Sequence, residues 1–343
     1  MICQFSLEFR YLFLRGDFLN QPPLQSVFIH IVVLGYGKFA ATTQLCLDSL
    51  ALQLQRPEVK VTVIDNGSPD EAAQLQETYL QQYPQIQSVI LPNNLGYAGG
   101  MNYGVNLLES DWVFLLGSDT ILAPNTLENL YRELKEINST IGIVGPLTNE
   151  AGTAQRLNLE GLSPESMFVE FQGRFPELTG LKTPIYRADF FAVAIRKSLW
   201  HRLNGLDMSY GRGYYEDFDF CMRAKALGFQ SVMLEDLFVY HAGSMSFKSD
   251  PLQKQLIKKN KKIFINKFPS ALLLHRREDN VRVIKHYLDI PKDLFMRPGI
   301  QTRLSHRLTV AQKDEPRSFW KKWLWRKKVA ALKTRIKLKQ SVS

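Results

Sequence analysis

The sequence predicts an α/β protein: a mostly parallel central sheet flanked by helices, closed by a basic, helical C-terminal tail. Two observations carry this. Short β-branched runs alternate with helix-spaced stretches through about residue 145, the rhythm of a parallel sheet with right-handed crossovers. Three of those runs end on Tyr36, Asp65 and Asp119, at the carboxyl edge where ligands of such sheets sit. The chain has 343 residues, 45% of them hydrophobic and 22% charged, which suits a folded protein with a full-sized core.

In order, Val27 to Leu34 reads as a buried strand ending at Gly35-Tyr36-Gly37. Thr42 to Leu54 has helical spacing, and Val59 to Ile64 is a second strand ending at Asp65-Asn66-Gly67-Ser68. A helix over Glu71 to Tyr83 leads to a third strand, Ser88 to Leu91. Asn93 to Asn102, with Gly96, Gly99 and Gly100, opens another helix, and Trp112 to Leu116 is a fourth strand before Gly117-Ser118-Asp119. From about residue 145 the alternation breaks: Gly145 to Asn149 reads as turn-rich, and the chain is irregular to Lys182. Residues 188–195 return to a strand, Arg196 to Arg202 is a short helix, and a helix following the acidic cluster at 216–219 is stopped by Gly228. Val232 to Leu234 and Leu237 to Tyr240 read as two strands, and Leu252 to Phe268 as a Lys-rich helix. Residues 1–26 form an N-terminal extension, greasy but interrupted by charge and without the features of a secretory signal.

Charge and cysteine content narrow the function classes. The formal net charge is +10, but no acid follows Glu315 and ten bases do, so the chain before that tail is neutral. The charge therefore belongs to the tail, and nucleic acid is not an expected partner. Cys3, Cys46 and Cys221 lie far apart with no metal-ligand spacing, which fits a reducing, cytoplasmic setting without disulfides or zinc. No apolar run reaches the roughly 18 to 20 residues that span a bilayer.

The candidate site residues are individually ambiguous. Asp65 suits a hydrogen bond from a planar ligand edge, yet Asp-Asn-Gly is also ordinary turn chemistry. The glycines between Asn94 and Asn102 would let backbone N–H groups approach a phosphate, or simply make a tight turn. Asp119 could bind a divalent cation, and His241 also follows a strand. Glu216, Asp217 and Asp219 suit either a helix start, where acids complement the dipole, or acid/base work. Asp219 and Arg223 are four apart on a presumed helix and fit a structural pair.

Their order is more telling. Gly205-Leu206-Asp207, Tyr210-Gly211-Arg212-Gly213, Glu216-Asp217-x-Asp219 and Phe238-Val239-Tyr240-His241-x-Gly243 resemble glycosyltransferase family 2, inverting enzymes of the Rossmann-like GT-A fold. The spacing is similar to the branch of surface polysaccharide, O-antigen and rhamnosyltransferase enzymes. The resemblance covers 27–270 and implies a nucleotide-sugar-binding half over 27–145 and an acceptor and catalytic half over 146–270; residues 271–343 are a C-terminal extension.

It implies transfer of a hexosyl or rhamnosyl group from a UDP-, dTDP- or GDP-linked donor to a hydroxyl of a glycan or lipid-linked acceptor. Asp217 would be the general base, with Glu216 shaping the acceptor site. Tyr36, Asp65, Asn94, Gly96 and Asn102 would contact the nucleotide. Asp119 and His241 would hold Mg²⁺ or Mn²⁺ on the diphosphate. Two departures stand out: glycine at 117, the first position of the metal motif, and Leu34-Gly35-Tyr36-Gly37 at the base-binding strand end. They motivate an alternative, a degenerate GT-A protein that binds nucleotide or glycan without turnover.

Residues 317–340 interleave bases with Phe319, Trp320, Trp323, Leu324 and Trp325, and the apolar side chains fall on two arcs of a helix. The mixture suits an anionic membrane surface, placing the protein peripherally on the inner face of the cell membrane; a solvated or partner-binding helix is the competing expectation.

Overall fold

The structure is a computed structural model that describes residues 27–343 except 160, 175–177, 244–252, 270–275 and 342–343. The N-terminal extension 1–26 lies outside the described residues, as does Cys3.

The first half follows the expected alternation: β1 (Ile29–Gly35), α1 (Thr43–Ala51), β2 (Val59–Asp65), α2 (Ala72–Leu80), β3 (Ile86–Ile90), α3 (Gly96–Val105) and β4 (Trp112–Gly117). β3, β2, β1 and β4 lie side by side and all parallel, with Gly35 opposite Asp65 and Leu34 opposite Gly117. That register sets the ends of three strands level. Val32, Val33, Phe114 and Leu115 are fully buried because helices cover both sheet faces.

Beyond β4 the chain is more regular than its sequence suggests. β5 (Thr120–Leu122), α4 (Thr126–Glu136), β6 (Ile141–Leu147), α5 (Pro164–Arg174), β7 (Lys182–Ile185), β8 (Ala192–Arg196), α6 (Lys197–Arg202), α7 (Glu216–Ala226) and β9 (Gln230–His241) follow. The turn-rich reading of 145–147 is corrected: these residues end β6, a strand buried along its whole length between β8 and β9. The two strands expected over 232–240 are one, β9, whose buried Glu235 and Asp236 masked its continuity. Pairing in this half is mixed. β8 runs antiparallel to β4 and β6, β9 is parallel to β6, and β5 and β7 run antiparallel to β9.

The C-terminal part is helical: α8 (Gln253–Lys267), α9 (Arg276–Asp289), α10 (Lys292–Phe295), α11 (Pro298–Lys313) and α12 (Phe319–Ser341). The last four share the core of the sheet, since Ile284, Tyr287, Phe295, Leu304, Ala311, Trp325 and Leu332 pack in one apolar cluster with Val193 and Met233. Glu235 is the polar pin of this junction. Its carboxylate accepts from Thr183 Oγ1 at 2.7 Å, from Arg303 Nε at 3.2 Å and from the Tyr287 hydroxyl. A fully buried charge of this kind is tolerable because each oxygen is hydrogen-bonded and a guanidinium lies beside it. No helix among the described residues is long and apolar enough to cross a membrane.

Candidate active site

A cleft of about 610 Å³ opens at the carboxyl ends of β1 and β4, within the size range of small-molecule sites. It is lined by Tyr36 after β1, Gly117 to Asp119 at the end of β4, Arg187 and Asp189 to Phe191 before β8, Arg212 to Asp217 before and within α7, and His241 at the end of β9.

One wall carries Asp119 and His241. Antiparallel pairing sets Thr120 opposite His241, which brings His241 Nε2 to 3.5 Å from Asp119 Oδ2. His241 is held at its ring and at its backbone. Phe191 stacks on it at 5.0 Å and 14°. Asn149 donates Nδ2 to the His241 carbonyl at 2.9 Å and accepts the His241 N–H at 2.8 Å. Nδ1 lies 2.9 Å from the Glu150 carbonyl, which can only accept, so Nδ1 carries a proton and Nε2 is directed at Asp119. Burial disfavours protonation of His241, but the Asp119 carboxylate outweighs it and raises the histidine's pKa.

A pair that can hold a proton between a carboxylate and an imidazole can hold a divalent cation there instead, so the donor chemistry fits Mn²⁺ or Mg²⁺. Among the described residues no group of three or more His, Cys, Asp or Glu could hold a metal ion. Two protein ligands with open positions is the arrangement expected when substrate phosphates complete the sphere. Gly117 has a reason here too. A Cβ at that position would lie 3.0 Å from Asp119 Oδ1, so the glycine leaves room for the carboxylate to turn back over the end of β4.

Glu216 and Asp217, at the start of α7, line the same cleft. The approach to that helix is strained: Tyr214 and Tyr215 have φ of 71° and 79°, in the left-handed region that side chains disfavour. Asn260, buried on α8, holds the turn by donating Nδ2 to the carbonyls of Tyr210 at 2.8 Å, Gly213 at 2.7 Å and Tyr214 at 3.1 Å. Asp217 Oδ1 accepts its neighbour Phe218 N–H at 2.6 Å. Burial raises the Asp217 pKa to about 6 while the Arg187 guanidinium works the other way. Burial, and then the adjacent Asp217, push Glu216 higher still. Glu216 Oε2 is buried without a hydrogen-bond partner among the described residues.

Asp219, third of the acids, faces away from the cleft. Wholly buried, it accepts from Tyr210 OH at 3.0 Å, Arg223 Nε at 2.5 Å and Lys267 Nζ at 2.5 Å. Its expected pairing with Arg223 is present, with Lys267 added.

Not every expected nucleotide contact reaches the cleft. Tyr36, Asn94 and Gly96 line it; Asp65 and Asn102 do not. Asp65 is buried beneath the turn after β2, accepting Ser68 N–H at 2.9 Å and the Ser68 hydroxyl, and Ser68 Oγ accepts Gly37 N–H at 2.7 Å. Asn102 spends its amide on Leu206, donating to its carbonyl and accepting its N–H, both at 2.8 Å. Asn102 lies off the cleft, and each of its polar atoms bonds the loop at Leu206.

The phosphate cradle expected around Gly96 is closed as well. The N–H groups of Leu95, Gly96 and Tyr97 go to Asn66 Oδ1, Asn94 Oδ1 and the Arg212 carbonyl. Gly96, with φ of 72°, is needed because a Cβ would sit 2.3 Å from the Gly211 carbonyl.

Sequence reasoning missed Arg187, Asp189, Asn149 and Asn260 as contributors. Arg187 pairs with Asp189 at 3.0 Å and lies over the Phe218 ring at 5.1 Å, with Asp217 and Asp279 among the charges that it feels. An Arg-Ala-Asp step at the mouth of a strand was the available signal. Asn260 gave none, being one polar residue on a Lys-rich helix.

Comparison with known proteins decides the family. The family model described as glycosyl transferase family 2 matches residues 30–202, half of the chain. The chain belongs to that family. The match ends before the acidic cluster, so the family 2 assignment rests on the β1–α6 region. This family 2 chain is 23% identical over 98 residues to glycosyltransferase GlyG of Streptococcus pneumoniae, covering 29% of the chain and 32% of that protein. It is 26% identical over 110 residues to an N-acetylglucosaminyltransferase of Rhizobium sp. (strain N33), covering 32% of the chain and 24% of that protein. The matched stretches thus span about a third or less of those relatives' own length.

Two solved structures share the GT-A fold. The mannosyltransferase PcManGT of Pyrobaculum calidifontis, in complex with GDP-Man and Mn²⁺, superposes with a TM-score of 0.50 at 13% identity, over 98% of this chain and 91% of that one. S. aureus TarS 1–349 in complex with UDP-GlcNAc gives 0.52 at 16% identity, over 92% and 87%.

Proposed function

We propose that this family 2 protein is an inverting glycosyltransferase that moves a hexosyl or rhamnosyl group from a nucleoside-diphosphate donor to a hydroxyl of a glycan or lipid-linked acceptor. One observation carries the reading: Asp217, a carboxylate with raised pKa, lines the same cleft as the Asp119–His241 pair. The nucleotide-sugar and Mn²⁺ complexes of the structural neighbours support the donor class and a divalent metal.

In this reading Tyr36, Asn94 and Gly96 border the nucleotide end, and Asp65 acts indirectly by bracing the Ser68 turn under Gly37. Asp119 and His241 would hold a divalent metal, which would supply Lewis-acid stabilisation of the charge on the departing diphosphate. Asp217 takes the proton of the acceptor hydroxyl as the new glycosidic bond forms, and displacement from the opposite face inverts the anomeric centre. Arg187 keeps Asp217 ionised at neutral pH against the pull of burial. Glu216, held in its neutral form by burial and by Asp217, shapes the acceptor side of the cleft that it lines.

The alternative, binding without turnover, is motivated by Gly117 and by Leu34 to Gly37; the room that Gly117 leaves for the Asp119 carboxylate speaks against the first of these grounds. The deciding test is metal-dependent release of nucleoside diphosphate from UDP-, dTDP- and GDP-sugars, with Asp217→Asn beside the parent. Release by the parent and its loss in Asp217→Asn is the expected result. Saturable nucleotide binding with no release from any donor would assign the protein to the binding-only class.

A further inference from the structure

The two apolar arcs of the C-terminal segment have different fates. Trp325, Val329, Leu332 and Ile336, spaced four, three and four apart, form one buried stripe of α12. The stripe seats on the core through α9 and α11, and the Trp325 indole N–H donates to the Ala311 carbonyl at 2.8 Å. At 100° per residue the other arc falls on the opposite side of the helix. There Phe319 is 75% exposed, Trp320 69%, Leu324 58% and Trp323 45%. The rings pack edge to face, Phe319 on Trp320 at 5.5 Å and Trp320 on Trp323 at 6.4 Å, and Lys327 Nζ lies 3.6 Å over Trp323. Such a contiguous aromatic and aliphatic patch in water is costly unless something covers it.

We propose that this face of α12 docks on an anionic lipid surface. Residues 317–343 contain ten bases and no acid, so two copies meeting through this face would set like charges together, whereas an anionic surface complements them. Tryptophan with lysine beside it suits the boundary between headgroups and acyl chains, where rings insert and ammonium groups stay wet. The contact also has a position relative to the cleft. Lys328, one turn beyond Leu324, pairs with Glu278 at 2.6 Å. The neighbouring Asp279 accepts the Tyr186 N–H at 3.0 Å, and Arg187, next in the chain, lines the cleft. The aromatic end of α12 is thus tied to the cleft wall that carries Arg187, and docking there brings the site close to acceptors anchored in the lipid. The docking stands without the transfer reaction; only this last consequence rests on the proposed function.

Co-sedimentation of the full chain with vesicles tests it, using phosphatidylcholine alone and phosphatidylcholine mixed equally with phosphatidylglycerol. The parent binds the anionic vesicles and not the neutral ones. Phe319→Ser/Trp320→Ser/Trp323→Ser lowers binding at least tenfold, and Lys321→Gln and Lys327→Gln lower it about fivefold each, the equivalent of about 1 kcal/mol per base. All these side chains are exposed, so the melting temperatures stay at the parent's and a loss of binding reads the surface itself. Absence of binding to anionic vesicles, or equal binding by the triple variant, overturns the proposal. A dimer of the parent that the triple variant loses assigns the face to a second copy, and tighter binding to single-stranded RNA than to vesicles assigns it to nucleic acid; either result overturns the lipid assignment. Because vesicle binding is read without catalysis, a failure here is separable from a failure of glycosyl transfer.

Discussion

His241 and Asp119 stand 3.5 Å apart, side chain to side chain, because β5 and β9 pair antiparallel with Thr120 opposite His241. If the two share a metal, His241→Ala raises the Mn²⁺ concentration needed for half-saturation about tenfold or more, the scale on which lost coordination contacts act. Gly117→Ala gives a smaller rise, since its Cβ would crowd Asp119 Oδ1. Calorimetric titration of Mn²⁺ in the presence of UDP or GDP measures both, and unchanged Mn²⁺ binding by His241→Ala would remove the histidine from the metal site.

Asp217 works as a base only when ionised, and burial lifts its pKa from 3.8 to about 6. Activity therefore rises with pH through about 6 on its acid side. Arg187→Gln removes the cation that favours the carboxylate, so the acid limb moves to higher pH. Asp217→Asn lowers the rate roughly 10²- to 10⁴-fold. Rate–pH profiles of the three proteins check this; an acid limb that stays in place in Arg187→Gln would separate the arginine from the base.

The Asp219 cluster predicts a stability effect. Asp219→Ala leaves Arg223 and Lys267 without their buried counter-charge, and breaking a buried ion pair from one side costs about 3 to 5 kcal/mol. Denaturant unfolding measures it. A loss below about 1 kcal/mol, the scale of an exposed pair, would mean that the cluster contributes like a surface salt bridge.

His30 predicts an acid sensitivity. It is fully buried in β1 with Nε2 2.8 Å from Thr62 Oγ1, and burial, with Lys197 adding to it, lowers its pKa from 6.5 to about 4. The unfolded chain then takes up a proton that the folded chain refuses. Stability is unaffected above about pH 6.5 and falls as pH drops toward about 4, by on the order of 3 kcal/mol in all. In His30→Gln this part of the pH dependence disappears. Urea unfolding at about pH 7.5 and about pH 4.5 compares the two proteins, and identical pH slopes would show that His30 is not the group responsible.

The sequence by itself determined what local patterning can express: the alternation of β1 to β4 with their helices, the strand ends at Tyr36 and Asp119, the helix start at Glu216 and the confinement of net charge to the tail. Periodicity and turn chemistry depend on neighbours a few residues apart, so they can be read along the chain. Tertiary structure decided which of those residues meet. Asp65 and Asp119 look alike as acids at strand ends, yet register and turn geometry bury one under Ser68 and bring the other to His241. Asn102 looked available until Leu206 took both its polar atoms, and Arg187 became part of the site only because β8 lies beside β4.

The tail shows the same division: its two apolar arcs are visible in the sequence, but only packing against α9 and α11 decides which is buried and which stays exposed. Burial and pairing between residues tens to hundreds of positions apart are properties of the folded chain, and no local pattern encodes them.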